Sequence, residues 1–181
     1  MCFKVLRYNN LKFSNQQSAI SKTQSGILLI NLGTPDTPHT REVRIFLREL
    51  LSCKRVLDIN PVWRWLLVNF VILPFRSRKS AKAYRKIWLE DGSPLLVYSQ
   101  KLKNALGEQL SEEKIPVELG MQCGRPSLKT AIAKLRGQNC DQIIVLPLYP
   151  QYASSSYGAA IEDLYKVILN DWNMPYLRII P

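Results

Sequence analysis

The chain lacks several motifs whose presence would indicate a particular class of site. It contains no G-x-G-x-x-G or G-x-x-x-x-G-K-[ST] segment, which argues against the common glycine-rich nucleotide-binding loops. Its four cysteines include no C-x-x-C pair, so neither a zinc ribbon nor a disulfide framework is indicated, and we interpret them as reduced thiols. No RNP, KH or helix-turn-helix pattern occurs, and nucleic-acid binding would therefore rest on charge alone.

Histidine and long apolar runs are also scarce. His39 is the only histidine, and we interpret it as a structural residue at a helix start, because a zinc or iron site normally needs several ligands. The longest apolar stretch, residues 65–75, is interrupted by Asn69 and is shorter than the about 20 residues that a membrane-spanning helix needs. A helix buried in the core is the favoured interpretation. The alternative is an exposed apolar surface beside a hydrophobic ligand or a membrane, where Trp63 and Trp65 would suit the membrane–water interface.

Positive charge is in excess. The 25 Lys and Arg residues against 14 Asp and Glu residues give a formal net charge of +11, which favours an anionic partner. Nucleic acid, an anionic membrane face and a polycarboxylate ligand all remain open at this point. With 46% hydrophobic and 22% charged residues, the composition is that of an ordinary globular protein.

The first 24 residues differ from the rest of the chain. They carry basic side chains, no acidic ones, and several Ser, Asn and Gln. An organelle transit peptide has a similar composition, but the apolar positions are too few for a convincing amphipathic helix. We therefore predict a basic extension without fixed structure over residues 1–24 and one globular domain over residues 25–181.

Apolar runs alternate with helical patterns along that domain. Strands are predicted at residues 26–32, 117–122, 142–148 and 176–180. Helices are predicted from Pro38 and over residues 77–89, 94–112, 126–136 and 158–171. Strands separated by helices pair in parallel through right-handed crossovers. The sequence therefore predicts an α/β fold with a doubly wound, mostly parallel, Rossmann-like sheet.

The loop after the third predicted strand is the most informative segment. Residues 147–158 read Pro-Leu-Tyr-Pro-Gln-Tyr-Ala-Ser-Ser-Ser-Tyr-Gly and lead directly into a helical pattern. In an open α/β sheet such a loop lies at the carboxyl ends of the strands, where ligands usually bind. Packing of Tyr149 in the core and a helix N-cap role for the serines are the alternatives.

A basic helix offers a second candidate ligand contact. Six Lys and Arg side chains lie between residues 76 and 86, several of them at helical spacing. A solvated helix face would explain them equally well. The alternative is a clamp for carboxylates, since the planar fork of arginine can bind a carboxylate through two hydrogen bonds.

Four segments together resemble the ferrochelatases, the enzymes that insert ferrous iron into a porphyrin late in haem synthesis. They are Ile-Asn-Leu-Gly-Thr-Pro at residues 30–35, the basic run at 79–88, Gly-Ser-Pro-Leu at 92–95, and Pro-Leu-Tyr-Pro-Gln-Tyr at 147–152. The resemblance covers residues 26–181. It implies the amino-terminal domain of an expected two, with the carboxyl-terminal half missing.

The resemblance also implies a set of porphyrin contacts. By matching motifs, Arg76 would bind a propionate and Leu32 would lie against one face of the macrocycle, where leucine cannot ligate iron. The complete set of matched contacts is Leu32, Arg76, Tyr84, Ser93, Tyr149 and Ser155. No catalytic residue is expected on this chain, because the histidine and glutamate of the family lie beyond the equivalent of Pro181. Ser154 replaces a cysteine that holds an iron–sulfur cluster in animal members, so no cluster is expected.

The resulting expectation is the porphyrin-binding part of a ferrochelatase, a lyase inactive in isolation. Its substrates would be porphyrin and ferrous iron, with no redox cofactor and no resident metal. A cytoplasmic location with peripheral contact with the inner membrane is expected, and nucleic acid is not. Two alternatives are a catalytically dead tetrapyrrole-binding fragment and a basic protein associated with membranes or nucleic acid.

Overall fold

The computed structural model describes residues 24–169 and 174–180. Almost all of the predicted basic extension, residues 1–24, lies outside them, and so does the end of the helix predicted over 158–171. In chain order the elements are β1 (Gln24–Thr34), α1 (Thr40–Ser52), α2 (Pro61–Leu66), a π-helical segment (Leu67–Ile72), α3 (Leu73–Ile87), α4 (Pro94–Gln109), β2 (Val117–Gly124), α5 (Leu128–Gly137), β3 (Cys140–Pro147), a second π-helical segment (Ser154–Gly158), α6 (Ala159–Ile168) and β4 (Tyr176–Ile179).

The four strands form one parallel sheet in the order β2-β1-β3-β4. The central strand β1 pairs with both β2 and β3, and its residues Leu28, Leu29 and Ile30 are completely buried. A strand covered on both faces needs apolar side chains at successive positions, which is why β1 reads as a continuous hydrophobic run. The structure confirms the predicted α/β class and the parallel, Rossmann-like sheet.

Different helices cover the two faces of the sheet. On one face, Leu28 and Ile30 of β1 pack with Ile143 and Val145 of β3 against α5 and α6. On the other face, Leu29 packs with the apolar residues of β2 and with α4. A third cluster joins α1 and α3 near the carboxyl end of β2. The chain runs from β1 to β2 on one side and then crosses back to β3 on the other side of β1, so the winding direction reverses there. The carboxyl ends of β1 and β3 therefore border the crevice where this architecture binds ligands.

Residues 61–87 form one continuous helical stretch in which the π-helical segment joins α2 to α3. Only one stripe of it faces the core, where Val68 and Leu73 are each 1% exposed. Trp63, Trp65 and Phe75 are 68%, 58% and 79% exposed. The favoured interpretation of residues 65–75 as a buried helix is therefore wrong. Packing against α1 covers one side of the stretch and leaves its other apolar side chains at the surface.

Candidate functional site

A cavity of about 800 Å³ opens at the carboxyl end of β1. Its walls come from β1, α1, α3 and α4, with one contribution from the loop after β3. The lining residues are Asn31, Leu32, Gly33, Thr34, Phe46, Leu47, Leu50, Arg76, Ser80, Tyr84, Ile87, Ser93, Pro94, Leu95, Tyr98, Ser99, Leu102 and Leu148. A largely apolar cleft of this size with a few converging polar groups is the usual form of a small-molecule site.

Asn31 lines the cavity and connects two of the elements that form it. Its carboxamide Nδ2 donates a hydrogen bond to Ser99 Oγ at 3.1 Å, and its Oδ1 accepts one from the backbone N–H of Leu32 at 2.8 Å. Asn31 and Ser99 are both buried. A buried amide with satisfied partners fixes its surroundings, because losing either partner would leave a polar group unpaired. Asn31 thus joins β1 to α4 and fixes the backbone of Leu32 at the cavity wall.

Tyr84 and Ser93 also line the cavity. The Tyr84 ring makes edge contacts with Phe46, at a centroid separation of 6.4 Å, and with Trp88, at 6.1 Å. Burial raises the pKa of the Tyr84 hydroxyl, so the side chain stays neutral near pH 7. Ser93 is buried at the start of α4, yet its hydroxyl does not bond to the helix backbone. That hydroxyl therefore retains hydrogen-bonding capacity beside the cavity.

Arg76 supplies the positive charge at the rim. It is exposed on α3, and further basic side chains follow on the same helix. Within residues 24–169 and 174–180, none of the six basic residues between 76 and 86 makes a salt bridge. An uncommitted guanidinium at the mouth of an apolar cavity is suited to bind a carboxylate.

Thr34 lies at the end of β1, within the 30–35 motif, and was not among the six matched contacts. Its Oγ1 is the one buried side-chain polar atom in the described ranges that has no hydrogen-bond partner. The residue lines both the large cavity and a smaller one of about 50 Å³. An unpaired buried hydroxyl costs about 1–3 kcal/mol, so a polar group of a ligand or a water would stabilise this position.

Four of the six matched contacts, namely Leu32, Arg76, Tyr84 and Ser93, line the same cavity. The other two do not. Tyr149 turns toward the face covered by α5 and α6, packs against that cluster, and donates a 3.4 Å hydrogen bond from its hydroxyl to Gln122 Oε1. Ser155 is exposed in the second π-helical segment. From that loop only Leu148 lines the cavity, and the ligand roles of Tyr149 and Ser155 stay predictions.

Among the described residues, no His, Cys, Asp or Glu side chain lines the cavity. His39 is the N-cap residue of α1, is exposed, and does not line the cavity. Among the described residues no group of three or more His, Cys, Asp or Glu side chains could hold a metal ion. The arrangement can bind a flat apolar molecule that carries carboxylates. It offers no evident group for proton abstraction.

Known proteins resemble this chain over nearly all of its described length. The sequence profile of the ferrochelatase family matches residues 24–181. A protein named ferrochelatase from Coxiella burnetii (strain Dugway 5J108-111) is 50% identical over 139 residues, which cover 77% of this chain and 39% of that relative. Ferrochelatases from Marinomonas sp. (strain MWYL1) and Legionella pneumophila (strain Paris) are each 47% identical, covering 86% of this chain and 48% and 46% of the relatives.

The chain spans less than half the length of these curated relatives. Within that span the match includes every segment that forms the cavity, from β1 to the loop after β3. The chain therefore belongs to the ferrochelatase family.

Proposed function

We propose that this chain forms the porphyrin-binding part of a ferrochelatase, which inserts ferrous iron into a porphyrin to make haem. The observation that carries the proposal is the convergence on one cavity, at the carboxyl end of β1, of Leu32, Tyr84 and Ser93 from three separate motifs and of Arg76, which precedes the second of them. The family membership and the names of the relatives support the same reaction.

The cavity suggests how the macrocycle would bind. Leu32 offers an apolar surface to one face of the ring, with its backbone fixed by Asn31. Arg76 at the rim would bind a propionate, and the basic residues that follow it on α3 would add favourable long-range attraction. Tyr84 and Ser93 would contribute neutral hydrogen-bonding groups to the wall.

Iron insertion needs groups that this cavity does not provide. Two pyrrole N–H protons must leave as Fe²⁺ forms its bonds to the four ring nitrogens, and a neutral imidazole and a carboxylate suit these roles. Since His39 does not line the cavity, we infer that the base comes from residues that follow position 181 in a whole ferrochelatase. Porphyrin and ferrous iron are the proposed substrates, without a redox cofactor or an iron–sulfur cluster, in the cytoplasm.

The first test separates binding from chemistry. The chain is expected to bind a dicarboxylate porphyrin saturably, seen as quenching of tryptophan fluorescence, and to show no insertion of Zn²⁺ or Fe²⁺ above the uncatalysed rate. A full-length family member serves as the positive control for insertion. Insertion at an enzymatic rate by this chain would contradict the inference about the base. Absence of saturable binding would contradict the proposed function itself.

A specific surface also favours contact with a membrane. Trp63, Trp65, Phe70 and Phe75 project from the helical stretch 61–87, and the basic residues of α3 follow directly. Aromatic side chains beside basic ones suit the headgroup region of an anionic bilayer. In the part of the chain that the structure describes, no helix is long and apolar enough to cross a bilayer. Peripheral contact is therefore the form of association that we propose.

This proposed contact predicts that vesicle binding depends both on the exposed aromatic side chains and on anionic lipid. The chain should float with vesicles that contain anionic phospholipid and much less with purely zwitterionic ones. Replacing Trp63 and Phe75 by serine should reduce the bound fraction several-fold, because each loses buried apolar area at the interface. Tyr176→Ser, at an equally exposed aromatic on β4, is the matched control. Equal flotation of both variants would contradict the proposed surface.

A further inference from the structure

Arg55 connects two segments that border the carboxyl edge of the sheet. It lies in the segment between α1 and α2. Its Nε donates to Glu162 Oε2 on α6 at 2.5 Å, and its Nη1 donates to Ser154 Oγ in the loop after β3 at 3.2 Å. One guanidinium thus binds an acid on a fixed helix and a hydroxyl at the start of the serine-rich loop.

The acid that receives Arg55 is itself held in place. Lys166, one turn further along α6, contacts Glu162 Oε1 at 2.8 Å and Asp163 Oδ1 at 3.0 Å. These hydrogen bonds, from Lys166 first and then Arg55, lower the pKa of Glu162 to about 2. Glu162 therefore stays ionised at any pH near neutrality, and its contact with Arg55 does not titrate there.

The loop is shaped to receive Arg55. Gly158 closes the π-helical segment, and a Cβ atom added there would lie 3.3 Å from Arg55 Nη1. The backbone N–H groups of Ser156 and Gly158 both donate to the carbonyl of Ala153, at 3.3 and 3.1 Å. Further along, the Tyr157 hydroxyl donates to the carbonyl of Ile180 at 3.3 Å. The loop is thus anchored to the segment between α1 and α2 through Arg55, and to Ile180, just past β4, through Tyr157.

Ser155 sits between these anchors without a partner of its own. Its hydroxyl makes no hydrogen bond to any residue within 24–169 or 174–180, whereas the neighbouring Ser154 is committed to Arg55. It is exposed at the edge where the ligand crevice of this fold lies. A short polar side chain in that position can reach a ligand only if the loop keeps one conformation.

We propose that Arg55 is a positioning residue that fixes the loop of residues 154–158 so that Ser155 can contact the bound porphyrin. The inference rests on the proposed function, and it adds a residue that none of the four motifs contains. Arg55 does not touch the ligand. It acts by restricting the loop, so the loop loses its conformational entropy on folding and not on ligand binding.

The exposure of the pair indicates that this role is local. The side chains of Arg55 and Glu162 are 39% and 38% exposed. Ion pairs this open to solvent contribute little to global stability. Arg55→Ala is therefore expected to fold with a thermal midpoint close to that of the parent, while the amides of residues 154–158 exchange faster with solvent deuterium.

Porphyrin titrations of the variants test the inference. Arg55→Ala should weaken binding about tenfold, as expected for the loss of one well-positioned polar contact. Ser155→Ala should weaken it similarly, but adding Ser155→Ala to Arg55→Ala should change little, because the loop no longer presents Ser155. Arg76→Ala, on α3 and away from this loop, should keep its full effect in the Arg55→Ala background.

Controls keep the test decisive. Arg55→Lys retains the charge facing Glu162 but cannot reach both partners, so we expect it to recover part of the porphyrin affinity. Ser154→Ala removes one partner of Arg55 and should reproduce part of the loss of affinity, even if Arg55→Ala fails to fold. Full additivity of Arg55→Ala with Ser155→Ala, or parent affinity in Arg55→Ala, would overturn the proposal. Unchanged amide exchange at residues 154–158 in Arg55→Ala would overturn the proposed restraint of the loop. If the parent binds no porphyrin, the proposed function itself fails.

Discussion

Replacing Arg76 by alanine should weaken the binding of a dicarboxylate porphyrin about ten- to a hundredfold, which corresponds to the loss of one or two charge-assisted hydrogen bonds. Arg76 lines the rim of the cavity and makes no salt bridge among the described residues, so its guanidinium is available to the ligand. The affinity is measured by fluorescence titration at low and at high salt. Because the group is exposed, the effect should shrink as salt screens it.

The matched control is Arg78→Ala. Arg78 carries the same charge two residues further along α3, is also exposed, and is not among the residues that line the cavity. It should weaken binding no more than a few-fold, through the loss of general attraction. Equal effects of the two substitutions would show that the helix acts only as a basic surface and would contradict a specific carboxylate contact at Arg76.

Substitution of Gly33 should have the largest effect on stability. Gly33 has a φ of +103°, and an added Cβ would lie 1.7 Å from the backbone oxygen of Cys123, its partner on β2. A methyl group cannot be accommodated unless the ends of β1 and β2 separate. Gly33→Ala should lower the free energy of unfolding by roughly 3–5 kcal/mol, measured by urea denaturation. The same separation would widen the cavity beside Leu32 and reduce porphyrin affinity.

Gly107→Ala is the matched control for that experiment. Gly107 lies within α4, and an added Cβ would meet no atom within 4 Å. Alanine there should raise stability by about 0.5–1 kcal/mol, because glycine is a poor helix former. If Gly33→Ala were as stable as the parent, the close approach of β1 and β2 at the edge of the cavity would not exist as described.

The sheet could be predicted from sequence because its strands are largely apolar and the first three are each followed by helical segments. The run that became β1 is buried on both faces, and such strands are the ones that show as continuous hydrophobic segments. The ends of the strands were predicted less accurately than their positions, since β1 extends to Thr34, two residues past the predicted end. Terminal residues pair through backbone groups, which the side-chain pattern does not report.

Hydropathy could not reveal which apolar residues would be covered. Residues 65–75 are as apolar as a core helix, but whether Trp65 or Phe75 is buried depends on what packs against the helix. Among the described residues, packing comes mainly from α1 and covers one side. The direction of the Tyr149 side chain could not be predicted for a related reason. Leu148 and Tyr149 directly follow β3 and continue the alternation of its side chains, so Leu148 lines the cavity and Tyr149 packs with the cluster of α5 and α6.

The contribution of α4 to the cavity was missed although a signal was present. Leu95, Tyr98 and Leu102 recur at three- and four-residue spacing, line the cavity, and are exposed. That spacing indicates an apolar helix face but does not distinguish a ligand from a packing partner. The pairing of Asn31 with Ser99 carried no sequence signal, because it joins residues 68 positions apart and appears only once the chain is folded.

One measurement tests the central claim most directly: titration of the chain with a dicarboxylate porphyrin and with its dimethyl ester, in the parent and in Ser80→Trp. Ser80 lines the cavity, and a tryptophan there would occupy part of the space for the macrocycle. The account predicts one-to-one saturable binding of the dicarboxylate, weaker binding of the ester, and loss of both in Ser80→Trp while the protein stays folded. Unchanged porphyrin binding in folded Ser80→Trp, or no saturable binding by the parent, would contradict it.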